Sequence, residues 1–180
     1  WAQRAKIAQL LSGNNKKKVP IKMFVLGIML DDILGRANLY FSTFSEGRYR
    51  LTRPDLKTGG RGYGGLELVI FDGYSGGTRP VETLSGGELF LASLSLAFGL
   101  SDVVQGNSGG VRLDSIFIDE GFGSLDQETL ATAMWALDEI QRSGRTVGII
   151  SHVQELKSRI PAKIEVIPLG DGGSTARVRI

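Results

Sequence analysis

Residues 115–119 and 146–150 are two apolar runs of strand length, Ser-Ile-Phe-Ile-Asp and Thr-Val-Gly-Ile-Ile, separated by a helical pattern over 127–141. Strands that alternate with helices in this way fold as β-α-β units of a parallel sheet. Sheets of that kind bind ligands beyond the carboxyl ends of their strands. Both runs end in chemically loaded residues, the first at Asp119-Glu120 and the second at Ser151-His152. A short helix over 153–157 and two closing strands, 164–169 and 176–180, are predicted to complete the sheet.

Upstream, Ile7, Leu10 and Leu11 form the apolar face of a helix that stops at Ser12-Gly13-Asn14-Asn15, before the run Lys16-Lys17-Lys18. Val19-Pro20 punctuates the chain, and a second helix is predicted over 21–42. Residues 48–53 and 66–71 read as short antiparallel strands, the latter ending in Asp72-Gly73 and Gly76-Gly77 turn chemistry. A third helix is predicted from Glu88 to about residue 104, apolar on most sides and therefore buried.

Composition removes whole classes of chemistry. With no cysteine and the single histidine His152, disulfides, thiolate sites and multi-histidine metal sites are excluded. What remains are carboxylates, hydroxyls and backbone. The longest apolar runs, such as residues 23–30, fall far short of the roughly 20 residues that span a bilayer. Ser93, Ser95 and Ser101 also argue against a membrane segment, and no signal-peptide pattern opens the chain. The expectation is a cytoplasmic chain without a membrane partner. Its net charge of +2 hides an asymmetry: residues 1–64 hold 12 basic and 4 acidic side chains, residues 65–180 hold 9 and 15.

Four local features carry possible chemistry. Asp119, at the end of an apolar strand, can hold a Mg²⁺, and Glu120 can polarise an attacking water; a solvated acidic turn is the plain alternative. Leu84-Ser85-Gly86-Gly87-Glu88 precedes a helix, so its hydroxyl and first N–H groups can receive a phosphate, or it can be an ordinary capping box. Asp126, in Ser124-Leu125-Asp126, suits the N-cap of the next helix. His152 alone would be an ordinary surface or core histidine.

Their order is more specific than any one of them. Ser-Gly-Gly at a helix start, an apolar strand ending Asp-Glu, Ser-Leu-Asp, and a strand ending in His follow one another as they do in the ABC-type ATPases, which this chain resembles. In that resemblance 84–88 is the signature motif, 116–120 Walker B, 123–126 the D-loop and His152 the switch histidine. Phe90-Leu91, Gly121-Phe122-Gly123 and Gly148-Ile149-Ile150-Ser151-His152-Val153 are very similar to the SbcC family, relatives of the SMC proteins. Ala37-Asn38 and Gly47-Arg48-Tyr49 extend the likeness into the first third of the chain.

The resemblance implies an α/β fold, the C-terminal lobe of an ABC-type ATPase head with the base of a coiled coil at its N-terminus. Residues 1–42 would be the end of the coiled coil and base helices, and 43–180 the lobe. A Gly-x-x-x-x-Gly-Lys-Ser/Thr loop is absent from the sequence. In the family that Walker A loop lies before the coiled coil, so a separate N-terminal lobe would supply it. This chain alone would then be inactive.

The implied ligands are ATP and Mg²⁺. Asp119 is implied as the metal residue, and Glu120 and His152 as catalytic. Leu84, Ser85, Gly86, Gly87, Glu88 and Asp126 would bind nucleotide across a dimer of two heads. Implied partners are that second head, the nuclease SbcD and double-stranded DNA, within an exonuclease and endonuclease complex that repairs double-strand breaks. Lys16, Lys17, Lys18, Arg48, Arg50 and Arg53 are candidate phosphate contacts, or simply solvated charges. Two other classes share the motifs. The nucleotide-binding part of an ABC transporter commonly has Gln where Glu88 stands, and an SMC clamp usually reads Val-Asp-Ala-Ala-Leu-Asp where this chain has Gly-Phe-Gly-Ser-Leu-Asp.

Overall fold

A computed structural model describes residues 2–15, 18–54, 66–107, 113–170 and 172–180. The elements run α1 (Ala2–Leu11), α2 (Ile21–Phe44), β1 (Tyr49–Thr52), β2 (Val69–Asp72), β3 (Gly77–Pro80), α3 (Gly86–Asn107), β4 (Ser115–Asp119), α4 (Gln127–Arg142), β5 (Thr146–Ile150), α5 (Gln154–Arg159), β6 (Lys163–Pro168) and β7 (Ser174–Arg179). Single 3₁₀ turns at Val81–Thr83 and Phe122–Ser124 lead into α3 and towards α4.

The centre of the fold is the crossing of α2 and α3. Gly99 permits it: a Cβ there would lie 2.6 Å from the Ala37 nitrogen and 2.7 Å from the Ile33 carbonyl oxygen, both backbone atoms of α2. Phe41 and Phe98 are fully buried beside this contact, each stabilising the fold by about 1.5–3 kcal/mol. Tyr40 reaches from α2 to Asp102 on α3 at 2.7 Å, and Asp102 also pairs with Arg145 at the entry to β5. Burial and the Asp102 carboxylate push the Tyr40 hydroxyl up to about 12, so it remains a donor.

α2 continues past residue 42 to Phe44, with Leu34, Ala37, Phe41 and Phe44 all buried. The 42/43 division thus falls within this helix. Asn38 fastens it to the first sheet, donating to the Leu51 carbonyl and accepting from the Leu51 N–H, each at 2.8 Å. These bonds satisfy backbone groups of β1, which has β2 on its other side.

By length and mean hydropathy α3 is the one helix among the described residues that could cross a membrane. Its packing is that of a core helix. Leu91, Leu94, Ser95, Phe98 and Ser101 are buried, and the Ser95 hydroxyl donates to the Leu91 carbonyl at 2.7 Å. The expectation of burial on most sides needs one correction: Leu89, Leu100 and Val104 are exposed.

β1, β2 and β3 form an antiparallel meander, and β4 and β5 pair in parallel, Asp119 opposite Ile150. α4 connects the parallel strands and buries Leu130, Ala133, Leu137 and Ile140. The predicted bounds of β4 and β5 hold to the residue. Contrary to the expectation from sequence, β6 and β7 do not close that sheet; they form their own antiparallel pair. Five residues separate the two strands, and the Leu169 N–H donates to the Gly173 carbonyl at 2.7 Å. A parallel crossover needs a dozen residues or more. Phe117 and Ile150 are exposed on the parallel sheet, as are Ile164, Val166 and Val178 on the hairpin.

Candidate functional site

The parallel register decides which side chains can meet. Asp119 is level with Ile150, and the Glu120 N–H donates to the Ile150 carbonyl at 2.9 Å, so residues 120 and 152 emerge side by side. Nδ1 of His152 lies 3.0 Å from Oε2 and 3.2 Å from Oε1 of Glu120. Both side chains are exposed at the carboxyl edge of the sheet. Glu120 has φ 60° and Gly121 φ 95°, a double left-handed turn that directs the chain into the 3₁₀ turn at Phe122. Left-handed backbone is unfavourable for a residue with a Cβ and recurs at functional sites.

Asp119 precedes this turn as an exposed carboxylate on the last residue of β4. Among the described residues no group of three or more acidic, histidine or cysteine side chains gathers to hold a metal. A single hard carboxylate of this kind fits Mg²⁺, which typically takes one or two carboxylates and completes its shell with water and phosphate oxygens.

The second cluster is the start of α3. Ser85 and Glu88 cap the helix reciprocally: the Glu88 N–H donates to Ser85 Oγ at 3.2 Å, and the Ser85 N–H donates to Glu88 Oε2 at 2.8 Å. This is a capping box. Contrary to the sequence-based boundary at Glu88, Gly86 and Gly87 lie inside the helix, because the box starts it at Ser85. The first N–H groups of a helix have no intrahelical acceptor and sit at the positive end of its dipole. At Gly87 a Cβ would lie 2.8 Å from Thr129 Cγ2, so glycine lets α4 approach. Thr129 in turn donates its N–H to the Asp126 carboxylate at 2.7 Å, making Asp126 the N-cap of α4. That bond holds Asp126 below the usual carboxylate range. Leu84 is buried beneath the same turn.

Residues not singled out as a set from sequence support Glu88. The Tyr49 hydroxyl donates to Glu88 Oε1 at 2.7 Å and accepts from Arg79 at 3.3 Å. Arg48 stacks over the rings of Tyr49 and Tyr74 and pairs with Asp72 and, at 3.7 Å, with Glu88. Burial pushes the Glu88 carboxyl up, but the Ser85 N–H, the Tyr49 hydroxyl, the Ser85 hydroxyl and Arg48 outweigh it, and the net shift is down. The spacing Tyr49-to-Glu88 gives no local signal, since Tyr49 on β1 and Glu88 on α3 meet only in the folded chain.

The candidate phosphate contacts divide differently from the sequence reading. Arg48 is engaged in this network and Arg53 is paired with Asp31. Arg50 and Lys18 are exposed, while Lys16 and Lys17 lie outside the described residues. Among the described residues no hydrogen bond or ion pair joins residues 84–88 to Glu120 or His152; the two clusters meet through apolar contact between Phe90, Gly121 and Phe122.

Solved structures define the fold. A structure from work on ATP-driven dimerisation and DNA-stimulated activation of SMC ATPases aligns with TM-score 0.63 at 18% identity, covering 87% of this chain and 88% of its own. The Smc head domain of Pyrococcus furiosus, with an extended coiled coil and bound to the C-terminal domain of ScpA, gives 0.58 at 19% identity, covering 98% of this chain and 41% of its own. The SMC head domain from Thermotoga maritima gives 0.54 at 17% identity, covering 87% and 51%. The fold is therefore that of an SMC-type ATPase head.

Sequence narrows this further. Residues 66–139 match the family described as SbcC/RAD50-like, Walker B motif. The SbcC component of the nuclease SbcCD of Vibrio cholerae is 50% identical over 96% of this chain, and its counterpart in Staphylococcus aureus 51% over 89%. The chain belongs to the SbcC/RAD50-like family. It spans 17% and 16% of the lengths of those two relatives.

Proposed function

We propose that this chain is the C-terminal lobe of the ATPase head of an SbcC-type protein, completed by an N-terminal lobe that carries Walker A. Residues 1–42 would be the end of the coiled coil and the base helices, and 43–180 the lobe itself. The single observation that carries the reading is the Glu120–His152 pair at the exit of two adjacent parallel strands. Relatives half identical to this chain share its SbcC/RAD50-like character, whereas the SMC likeness stands at 17–20% identity.

In this reading the Glu120 carboxylate orients a water and accepts its proton as the water attacks the γ-phosphate of ATP. His152 contacts that phosphate as a sensor, and Asp119 would hold Mg²⁺, which would supply neutralisation of phosphate charge. Ser85 and the N–H groups of Gly86 and Gly87 receive the γ-phosphate of the nucleotide on a second head, with Asp126 positioning the opposing site. ATP binding closes the pair and hydrolysis reopens it. The complex would use the cycle to admit double-stranded DNA ends to its nuclease partner SbcD, in double-strand-break repair.

Purification of this chain with and without a co-expressed N-terminal lobe tests the proposal. Mg²⁺-dependent ATP turnover is expected only from the pair. Turnover by the chain alone overturns the split-head reading.

A further inference from the structure

One aromatic side chain joins the start of α3 to the turn after β4. Phe90 lies five residues beyond Ser85, and its ring meets the ring of Phe122 edge to face, with centroids 4.9 Å apart and planes at 61°. Phe122 is fully buried, so the contact rests on the core. The same ring covers Gly121: a Cβ there would lie 2.7 Å from Phe90 Cε2 and 3.0 Å from Cδ2. Gly121 directly follows Glu120, and both are left-handed. Such a turn persists only where its surroundings hold it. On the sheet side it is held by the Glu120 N–H bond to Ile150; on the helix side it is held by Phe90.

We infer that Phe90 is a positioning residue for Glu120, its ring against Gly121 and Phe122 fixing the left-handed turn that sets the carboxylate beside His152. The inference rests on the proposed role of Glu120. Its consequence is that α3 serves both half-sites of one head. The helix start leaves Ser85 and Gly86 exposed, where the proposed function puts an opposing nucleotide, while its second turn clamps the water-orienting turn of its own site. Gly121 is required twice, for its φ and for the approach of the ring. With the ring removed, the turn gains room to relax, and a misplacement on the ångström scale is enough to cost turnover heavily.

The test uses the full-length ATPase and three readouts: kcat, KM for ATP, and dimerisation on gel filtration with ATP and Mg²⁺. For Phe90→Ala, kcat is expected to fall about 10-fold or more, with KM within about 3-fold and dimerisation retained, the pattern of Glu120→Gln. Loss of dimerisation in proportion to turnover, the pattern of Ser85→Arg, would mean that Phe90 only supports the helix start and overturns the inference. So does unchanged kcat. Phe90→Leu keeps apolar bulk without the flat ring and decides the matter by the same readouts if the alanine variant does not fold. Gly121→Ala should lose kcat similarly, and the double variant Phe90→Ala/Gly121→Ala no more than the worse single one; independent, multiplying losses contradict a shared contact. Glu120→Gln is assayed in parallel. If it turns over normally, the role of Glu120 has failed; if it stalls while Phe90→Ala does not, only the positioning role has failed.

Discussion

His152 Nδ1 stands 3.0 Å from Glu120 Oε2, across the ends of two strands that hydrogen-bond in parallel with Asp119 level with Ile150. The pairing follows from register: one residue of slip would exchange the faces of every side chain on β5. Gly123 lies on the other side of the imidazole, where a Cβ would be 3.7 Å from its Cε1 and Nε2. The histidine thus pairs directly with Glu120 and leaves room for little more than a methyl group at Gly123 in the loop that follows.

Glu120→Gln keeps the shape of the side chain and removes its capacity to accept a proton. ATP binding and closure of the head dimer are expected to persist in the reconstituted head while turnover falls about 100-fold or more. Gel filtration with ATP and Mg²⁺, run beside a phosphate-release assay, checks this. Monomers alone in the presence of nucleotide contradict it.

Gly99→Ala separates helix propensity from packing. In an exposed helix the change would stabilise by about 1 kcal/mol. Here the new methyl meets the backbone of α2 at Ile33 and Ala37, which cannot move aside as a side-chain tip can. A loss of about 1–3 kcal/mol is expected. Gly35→Ala, on α2 with nothing within 4 Å of the added methyl, is the control and should be neutral or stabilising. Thermal unfolding of the reconstituted head measures both; a raised Tm for Gly99→Ala would mean that the helices cross more loosely.

Asp72 and Glu88 make stability depend on acid. The Arg48 hydrogen bond, with the Tyr74 N–H and the Arg48 and Arg79 charges, outweighs burial and holds Asp72 below its usual range; Glu88 is lowered on balance as well. A carboxylate lowered in the folded state contributes stability that is fully present above its unfolded value, about 4, and is lost as pH falls through the folded one. Between pH 7 and pH 3 the wild type should therefore lose more Tm than Asp72→Asn/Glu88→Gln. Parallel Tm profiles for the two proteins would show that the network contributes nothing titratable.

Strands β4 and β5 and the caps at Ser85 and Asp126 were legible in the sequence because each is written locally, as apolar residues with polar punctuation. The supports of Glu88 were not. Tyr49, Arg48 and Arg79 reach it through the register of the meander, and no spacing along the chain encodes that. Arg48 illustrates the difficulty: a basic residue in a basic stretch reads as a phosphate contact, yet it stacks between two tyrosines and neutralises a buried aspartate. Phe90 was legible as an apolar residue of a core helix and as part of the family likeness, but its contact with Gly121 and Phe122 was not. β6 and β7 were found as strands, but their partner was set by a short connection that alternation alone does not fix.

Ser85→Arg distinguishes a site within one head from a site between two. The Ser85 side chain is exposed and accepts only the local Glu88 N–H at 3.2 Å among the protein hydrogen bonds that define the cap. Loss of that cap should cost about 1 kcal/mol, too little to unfold the head. The long guanidinium, by contrast, occupies the space in front of the helix start where an opposing phosphate would sit. Nucleotide binding to the single head is expected to survive within about 3-fold while ATP-driven dimerisation is abolished, because only contacts made across the dimer are removed. Equilibrium binding of a fluorescent nucleotide and gel filtration measure the two quantities separately. Binding lost in the monomer would place Ser85 at the nucleotide of its own head, and dimerisation retained would remove it from the interface.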